Sequence, residues 1–153
     1  MLNQSDYLGV DAVTLSANIR AGDFTVSELT ECAINRAEAV EPAINSIVTR
    51  NFNAAMDAAK NFDANPKLLQ KSNLAGFPFL VKDLSTVKGL PATFGSQLFK
   101  GNVADKTSKI VEKLDFGTIL GLFFTYTTSW DTGNNFLKNL EKVKKMSKIV
   151  IFL

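Results

Sequence analysis

Apolar positions recur at helical spacing through the first third of the chain. Val10, Val13 and Ala17 stand three and four residues apart, with Leu15 and Ile19 alongside, and Gly22 is placed to stop a helix. A second helix has a sharper start. Thr25-Val26-Ser27-Glu28 has the spacing of a capping box, in which the threonine hydroxyl and the glutamate carboxylate satisfy each other's backbone amides. Phe24 and Leu29 flank it where a hydrophobic staple belongs, and Leu29, Ala33, Ala37 and Val40 continue as one stripe beside Cys32. Glu41-Pro42 is expected to end this helix, because a residue before proline is pushed out of the α region.

The pattern then shortens. Ser46 to Arg50 is a β-branched run that reads as a strand, and an alanine-rich helix is expected from about residue 53 to 62, closed by Asn65-Pro66. A polar loop to Ala75 precedes Phe77-Pro78-Phe79-Leu80-Val81-Lys82, a strand with its proline near the start. Gly89, Pro91, Gly95 and Gly101 divide the next stretch into turns. Asp105 is expected to cap a helix with Ile110, Val111 and Leu114 on its apolar face and Gly117 as its stop. Thr118 to Leu122 returns as a buried strand. Strand, crossover helix and strand make this an α/β domain, a mixed or largely parallel sheet with flanking helices.

Composition narrows the chemistry. With 46% hydrophobic and 21% charged residues the chain is globular, and at 153 residues it is long enough to bury a core. There is no histidine, and Cys32 is the lone cysteine, which excludes histidine-based triads, imidazole metal sites and a disulfide framework. No metal or cofactor is expected. Residues 1–121 carry twelve Lys+Arg against thirteen Asp+Glu, and residues 122–153 carry five against two, so the body has no basic field for nucleic acid. The start of the chain lacks a signal-peptide pattern, and no apolar run is long enough to span a bilayer, so the expected location is cytoplasmic.

Lys82 stands out within its strand. Leu80, Lys82 and Leu84 alternate onto one face and Phe77, Phe79 and Val81 onto the other, so an ammonium falls in an otherwise apolar strand. Burial there would favour the neutral amine and make a general base; a lysine at a strand end that reaches water is the other reading. Asp83, on the opposite face, is a candidate salt-bridge partner or loop cap.

Further residues bear on Lys82. Leu74-Ala75-Gly76-Phe77-Pro78-Phe79-Leu80-Val81-Lys82-Asp83, then Val87-Lys88-Gly89-Leu90-Pro91 and Thr93-Phe94-Gly95-Ser96, resemble the amidase signature family. The order continues through Asp105-Lys106-Thr107 and Val111-Glu112-Lys113-Leu114 to Gly117-Thr118-Ile119-Leu120-Gly121, and the two leading helices fit the same pattern. The resemblance covers about residues 7–121. It implies the N-terminal portion of the amidase signature fold, and hydrolysis of small-molecule carboxamides, or transfer of the ammonia released as in amidotransferase A subunits, through a serine acyl-enzyme. Catalysis in that family uses a Ser-cis-Ser-Lys triad, in which the lysine matching Lys82 is the catalytic base.

After Gly121 the sequence departs from the family. Leu122-Phe123-Phe124-Thr125-Tyr126 stands where Gly/Ser-rich segments with both serines would follow, and no Gly-Gly-Ser or Gly-Ser-Ser run occurs. Ser96 belongs to the earlier family loop, and Ser129, beside Trp130, lacks flanking glycines, so neither is assigned as nucleophile. The expectation is a partial amidase-like domain over residues 1–121, truncated or frameshifted there, and inactive alone. Residues 122–153 would then be an unrelated or divergent basic tail, helical at 136–150, with Phe136, Leu140, Val143 and Val150 opposite Lys138, Lys142, Lys145 and Lys148. Two alternatives stand beside this. One is a non-enzymatic interaction module whose tail binds a partner or a membrane surface; the other is one half of an amidase completed by another chain or an oligomer.

Overall fold

The computed structural model describes residues 2–115 and 119–124. Five helices and three strands follow in chain order among these residues: α1 (Gln4–Gly9), α2 (Ala12–Ala21), α3 (Val26–Ile44), β1 (Ile47–Arg50), α4 (Phe52–Ala64), β2 (Pro78–Lys82), α5 (Lys109–Asp115) and β3 (Ile119–Phe124). Short 3-10 turns occupy Pro66–Gln70 and Gln97–Phe99. The sheet order is β1-β3-β2, with β3 antiparallel to β1 and parallel to β2. This is the mixed sheet expected of a strand, crossover helix and strand. Gly121 sits where the pairing with β2 slips by one residue, since Phe79 is opposite Leu120 and Leu80 is opposite Leu122. A glycine at a bulge accepts the local bend without a side-chain clash.

Helices α3 and α4 pack on each other, α4 packs on β3, and α3 reaches β2. The main core joins Leu15 and Ile19 of α2, Val26 and Leu29 of α3, Ala55, Ala59 and Phe62 of α4, and Phe77 just before β2. A smaller cluster under the far end of β2 holds Val81 and Val111, with Phe79, Val87 and Leu90 around it. The capping box at Thr25 forms as its spacing predicts, with the Glu28 amide donating to Thr25 Oγ1 at 3.1 Å and the Thr25 amide donating to Glu28 Oε2 at 3.0 Å. Asp63 of α4 completes that end, accepting from the amides of Val26 at 2.8 Å and Ser27 at 3.2 Å. The first amides of a helix have no partner inside it, so a carboxylate from a neighbouring helix both satisfies them and fixes the α3–α4 geometry.

Several expectations change. Helix α3 runs through Pro42 to Ile44 instead of ending at Glu41-Pro42. Its last turn is held from outside: the buried Glu41 carboxylate accepts from Ser46 N, Ser46 Oγ and Ile47 N, and Asn45 N donates to Glu41 O at 2.7 Å. Those bonds outweigh the local penalty of a residue preceding proline. In α2 the buried face is Ala12, Leu15, Ser16 and Ile19, while Val10 and Val13 are exposed. Leu15 and Ile19 are those the spacing names, and the small residues Ala12 and Ser16 complete the stripe in place of Val10 and Val13. Helix α1 precedes it, capped by Asn3. The stretch expected as polar loop contains the Pro66–Gln70 turn, with Leu68, Leu69 and Leu74 packed on the core.

Asp105 does not cap α5. That helix begins at Lys109, after Ser108 N has bonded to Thr86 O and Lys88 N to Thr107 Oγ1, so the approach is held against the preceding loop. Of its expected apolar face, Val111 is buried and Ile110 is exposed. The Gly117 stop, Ser129, Trp130 and the helix at 136–150 lie outside the described residues.

Candidate functional site

Gly76 begins the approach to Lys82. Its φ of +76° turns the chain into β2, and a Cβ there would stand 2.9 Å from Val26 Cγ2 and 3.0 Å from Leu69 Cδ2. Only glycine combines that backbone angle with that closeness to α3. Pro78 opens the strand, where its missing N–H is tolerated. The strand then pairs with β3 as far as Lys82, which lies opposite Phe124.

Lys82 is exposed. β2 lies at one side of the sheet formed by the described residues, and its last residue faces water, as in the strand-end reading of the two. None of the hydrogen bonds among the described residues involves the Lys82 ammonium. The described residues therefore supply neither the enclosure nor the hydroxyl partner that a lysine base needs.

Asp83, the next residue, is 3% exposed. Its carboxylate accepts from Thr93 N at 2.9 Å, Thr93 Oγ1 at 2.5 Å and Gly95 N at 3.3 Å. Of the two roles open to it, the loop clamp is the one observed. Adjacent residues of an extended strand point oppositely, so one end of β2 offers an amine to solvent and sends a carboxylate inward to hold the following loop. Further bonds lock that loop: Ala92 N to Asn102 O, Asn102 Nδ2 to Ala92 O, Gly89 N to Ala104 O and Ala104 N to Leu90 O. A bridge pairs Pro91 with Val103. The glycines and proline of this stretch mark its turns, and it is the bonds between Asp83 and Thr93, ten residues apart, that close the loop.

Ser96 has a structural role, its hydroxyl accepting from Leu98 N at 3.2 Å to start the 3-10 turn. Cys32 is buried on α3, with Sγ donating to Leu2 O at 3.4 Å. Burial pushes its thiol pKa up, and the charges of Glu31 and Glu28 push the same way, opposite to what a thiolate nucleophile requires. Among the described residues no group of three metal-ligating side chains gathers, and no helix is long and apolar enough to cross a membrane.

The sequence model of the family described as Amidase matches residues 28–122, more than half of the chain, and spans Lys82, Asp83 and their loop. The chain belongs to the amidase family. Among curated relatives, it is 31% identical over 118 residues to a glutamyl-tRNA(Gln) amidotransferase subunit of Acidothermus cellulolyticus, covering 76% of this chain and 23% of that protein. It is 32% identical over 131 residues to the acylamidase of Rhodococcus erythropolis, covering 81% of this chain and 26% of that one. An amidase family protein from Bacillus anthracis superposes with a TM-score of 0.71 at 26% identity, over 79% of this chain and 25% of its own. A fatty acid amide hydrolase shares the fold at the same TM-score and 17% identity. This amidase-family chain thus spans about a quarter of the length of its relatives and corresponds to their N-terminal part.

Proposed function

We propose that this chain is the lysine-bearing N-terminal portion of an amidase that breaks carboxamides by acyl transfer through a serine, and that it does not turn over alone. Lys82 is the residue offered for the base. In the complete site its amine takes the proton of a bridging serine hydroxyl, which takes that of the nucleophilic serine as the latter's oxygen attacks the carbonyl carbon. The amide C–N bond then breaks, the leaving amine departs with a returned proton, and water releases the acid. The observation that carries this reading is the family match across Lys82 in a chain that covers only about a quarter of its relatives. The names amidotransferase and acylamidase share amide-bond chemistry, so the proposed substrates are carboxamides as a class.

The test is a transplant. Residues 2–122 replace the matching segment of the Rhodococcus acylamidase, and the release of amine from a simple carboxamide is followed. The chimera is expected to turn over, with Lys82→Ala lowering kcat by about a thousandfold, within the range for loss of a general base. The isolated 153-residue chain is expected to release nothing. Turnover by the isolated chain that disappears in Lys82→Ala would overturn its proposed dependence on missing parts. An active chimera indifferent to Lys82→Ala would remove Lys82 from the role of base.

A further inference from the structure

The Lys82 amine stands on a flexible stem at the exposed end of β2, and its ammonium takes part in none of the hydrogen bonds among the described residues. What fixes the amine is therefore the backbone beneath it. Three restraints act there. β2 pairs with β3 as far as Lys82, opposite Phe124. The Ser85 amide donates to Lys82 O at 2.8 Å, closing the turn after the strand. The third restraint is Asp83, whose Cα lies about 3.8 Å from that of Lys82 across one peptide.

The Asp83 carboxylate sits in a turn shaped to hold it. Thr93 N, Thr93 Oγ1 and Gly95 N all donate to it, and between them Phe94 takes a φ of +51°, followed by Gly95 at +71°. A bulky residue is disfavoured at such a φ; here it brings the amides on either side of it onto one anion. Strain of this kind persists where the surroundings over-determine it, and it clusters at functional sites. The two arms of the loop also hold each other without Asp83, through Gly89 N to Ala104 O, Ala104 N to Leu90 O and Ala92 N to Asn102 O. What the carboxylate adds is the tie from that braced loop to the end of the strand.

We propose that Asp83 is a positioning residue for the Lys82 amine: seated in the Thr93–Gly95 turn, it fixes the strand end from which the amine reaches a serine hydroxyl. The inference rests on the proposed function and adds Asp83, with Thr93 as its donor, to that machinery. Asp83 is buried on the face opposite Lys82, so it acts through the backbone they share and not by contact with the reacting atoms. A displacement of about 1 Å at a reacting group costs on the order of a hundredfold in rate.

The test uses the acylamidase chimera and the full chain. In the chimera, Asp83→Asn keeps the side chain's size and loses acceptors for the turn; kcat should fall about a hundredfold with KM within about twofold. Thr93→Val should lower kcat about tenfold, Thr93→Ser, which keeps the hydroxyl, should recover it, and the double variant should cost no more than Asp83→Asn alone. The Thr93 pair carries the test if Asp83→Asn does not fold. A clamp that only supports the fold would lower Tm and leave kcat per folded molecule unchanged, and that result in a Lys82-dependent chimera would overturn the positioning role alone. In the full chain, where no turnover is needed, Asp83→Asn should speed hydrogen exchange at Ser85 N, which bonds to Lys82 O, and leave Leu29 N unchanged. Unaltered exchange at Ser85 would also overturn the proposal. An unsubstituted chimera without turnover, or one indifferent to Lys82→Ala, would instead overturn the proposed function and the positioning role with it.

Discussion

Asp11, Glu41, Asp63 and Asp83 all direct their carboxylate oxygens at backbone amides. Asp11 is the most accessible case. It caps α2 by accepting from Thr14 N at 2.8 Å, and that backbone bond is the main reason its pKa lies below the ordinary carboxylate value; desolvation opposes, and the Thr14 hydroxyl adds to the lowering. A carboxyl group with a depressed folded-state pKa stabilises the fold above its unfolded pKa, and that contribution is lost as pH falls through the folded value. Thermal melts of the chain and of Asp11→Asn, which keeps a good cap without the charge, should therefore differ by a constant amount near pH 6. The difference should shift once the pH drops below the usual aspartate value of 3.8. A difference that stays flat into acid would show that the charge contributes nothing.

Among individual residues, the sequence made Thr25 and its capping box legible because both partners lie within four positions. Lys82 was legible as an oddity in an apolar strand, and its exposure was one of two readings left open, since alternation gives a side chain's face and does not say what covers it. The clamp by Asp83 was open between two roles because its partners are ten and twelve residues away.

At the level of elements, the junction between α3 and β1 depends on one group. The Glu41 carboxylate is buried and serves Ser46 N, Ser46 Oγ and Ile47 N, while Asn45 takes a φ of +46° to close the helix. Glu41→Ala leaves two backbone amides without that acceptor, a loss of about 1–3 kcal/mol for each that stays buried. Urea unfolding should give a destabilisation of this order, with faster hydrogen exchange at Ile47 than at Leu29 in the middle of α3. Equal exchange increases at both residues would mean that the junction is not a local lock. The same carboxylate explains why a proline rule applied to Glu41-Pro42 ends the helix too early: the rule is local, and the bonds that override it come from beyond the helix. Half of the buried stripe of α2, Leu15 and Ile19, was legible, whereas Ala12 and Ser16 were not, because their own apolarity does not set them apart.

For the whole molecule, β3 is the element on which the sheet depends. It pairs with both β1 and β2, which have no pairing with each other. A chain ending at residue 118 should keep helical circular dichroism, lose a single cooperative thermal transition and bind a hydrophobic dye; a cooperative melt matching that of the full chain would show the helical layer to be self-sufficient. The parallel β2–β3 pairing was legible from the strand, helix and strand order, whereas the antiparallel partner β1 was not, because more than sixty residues separate it from β3.

That separation has a consequence for the newborn chain. Polypeptide leaves the ribosome amino-terminus first, so β1 and β2 both emerge before the strand that joins them exists. Throughout that interval their edges and Phe77, Phe79 and Val81 have no finished sheet to enter, and the nascent polypeptide offers them to chaperones or to aggregation instead. Synthesis that stalls shortly before Ile119 would therefore release a product far stickier than one only a few residues longer.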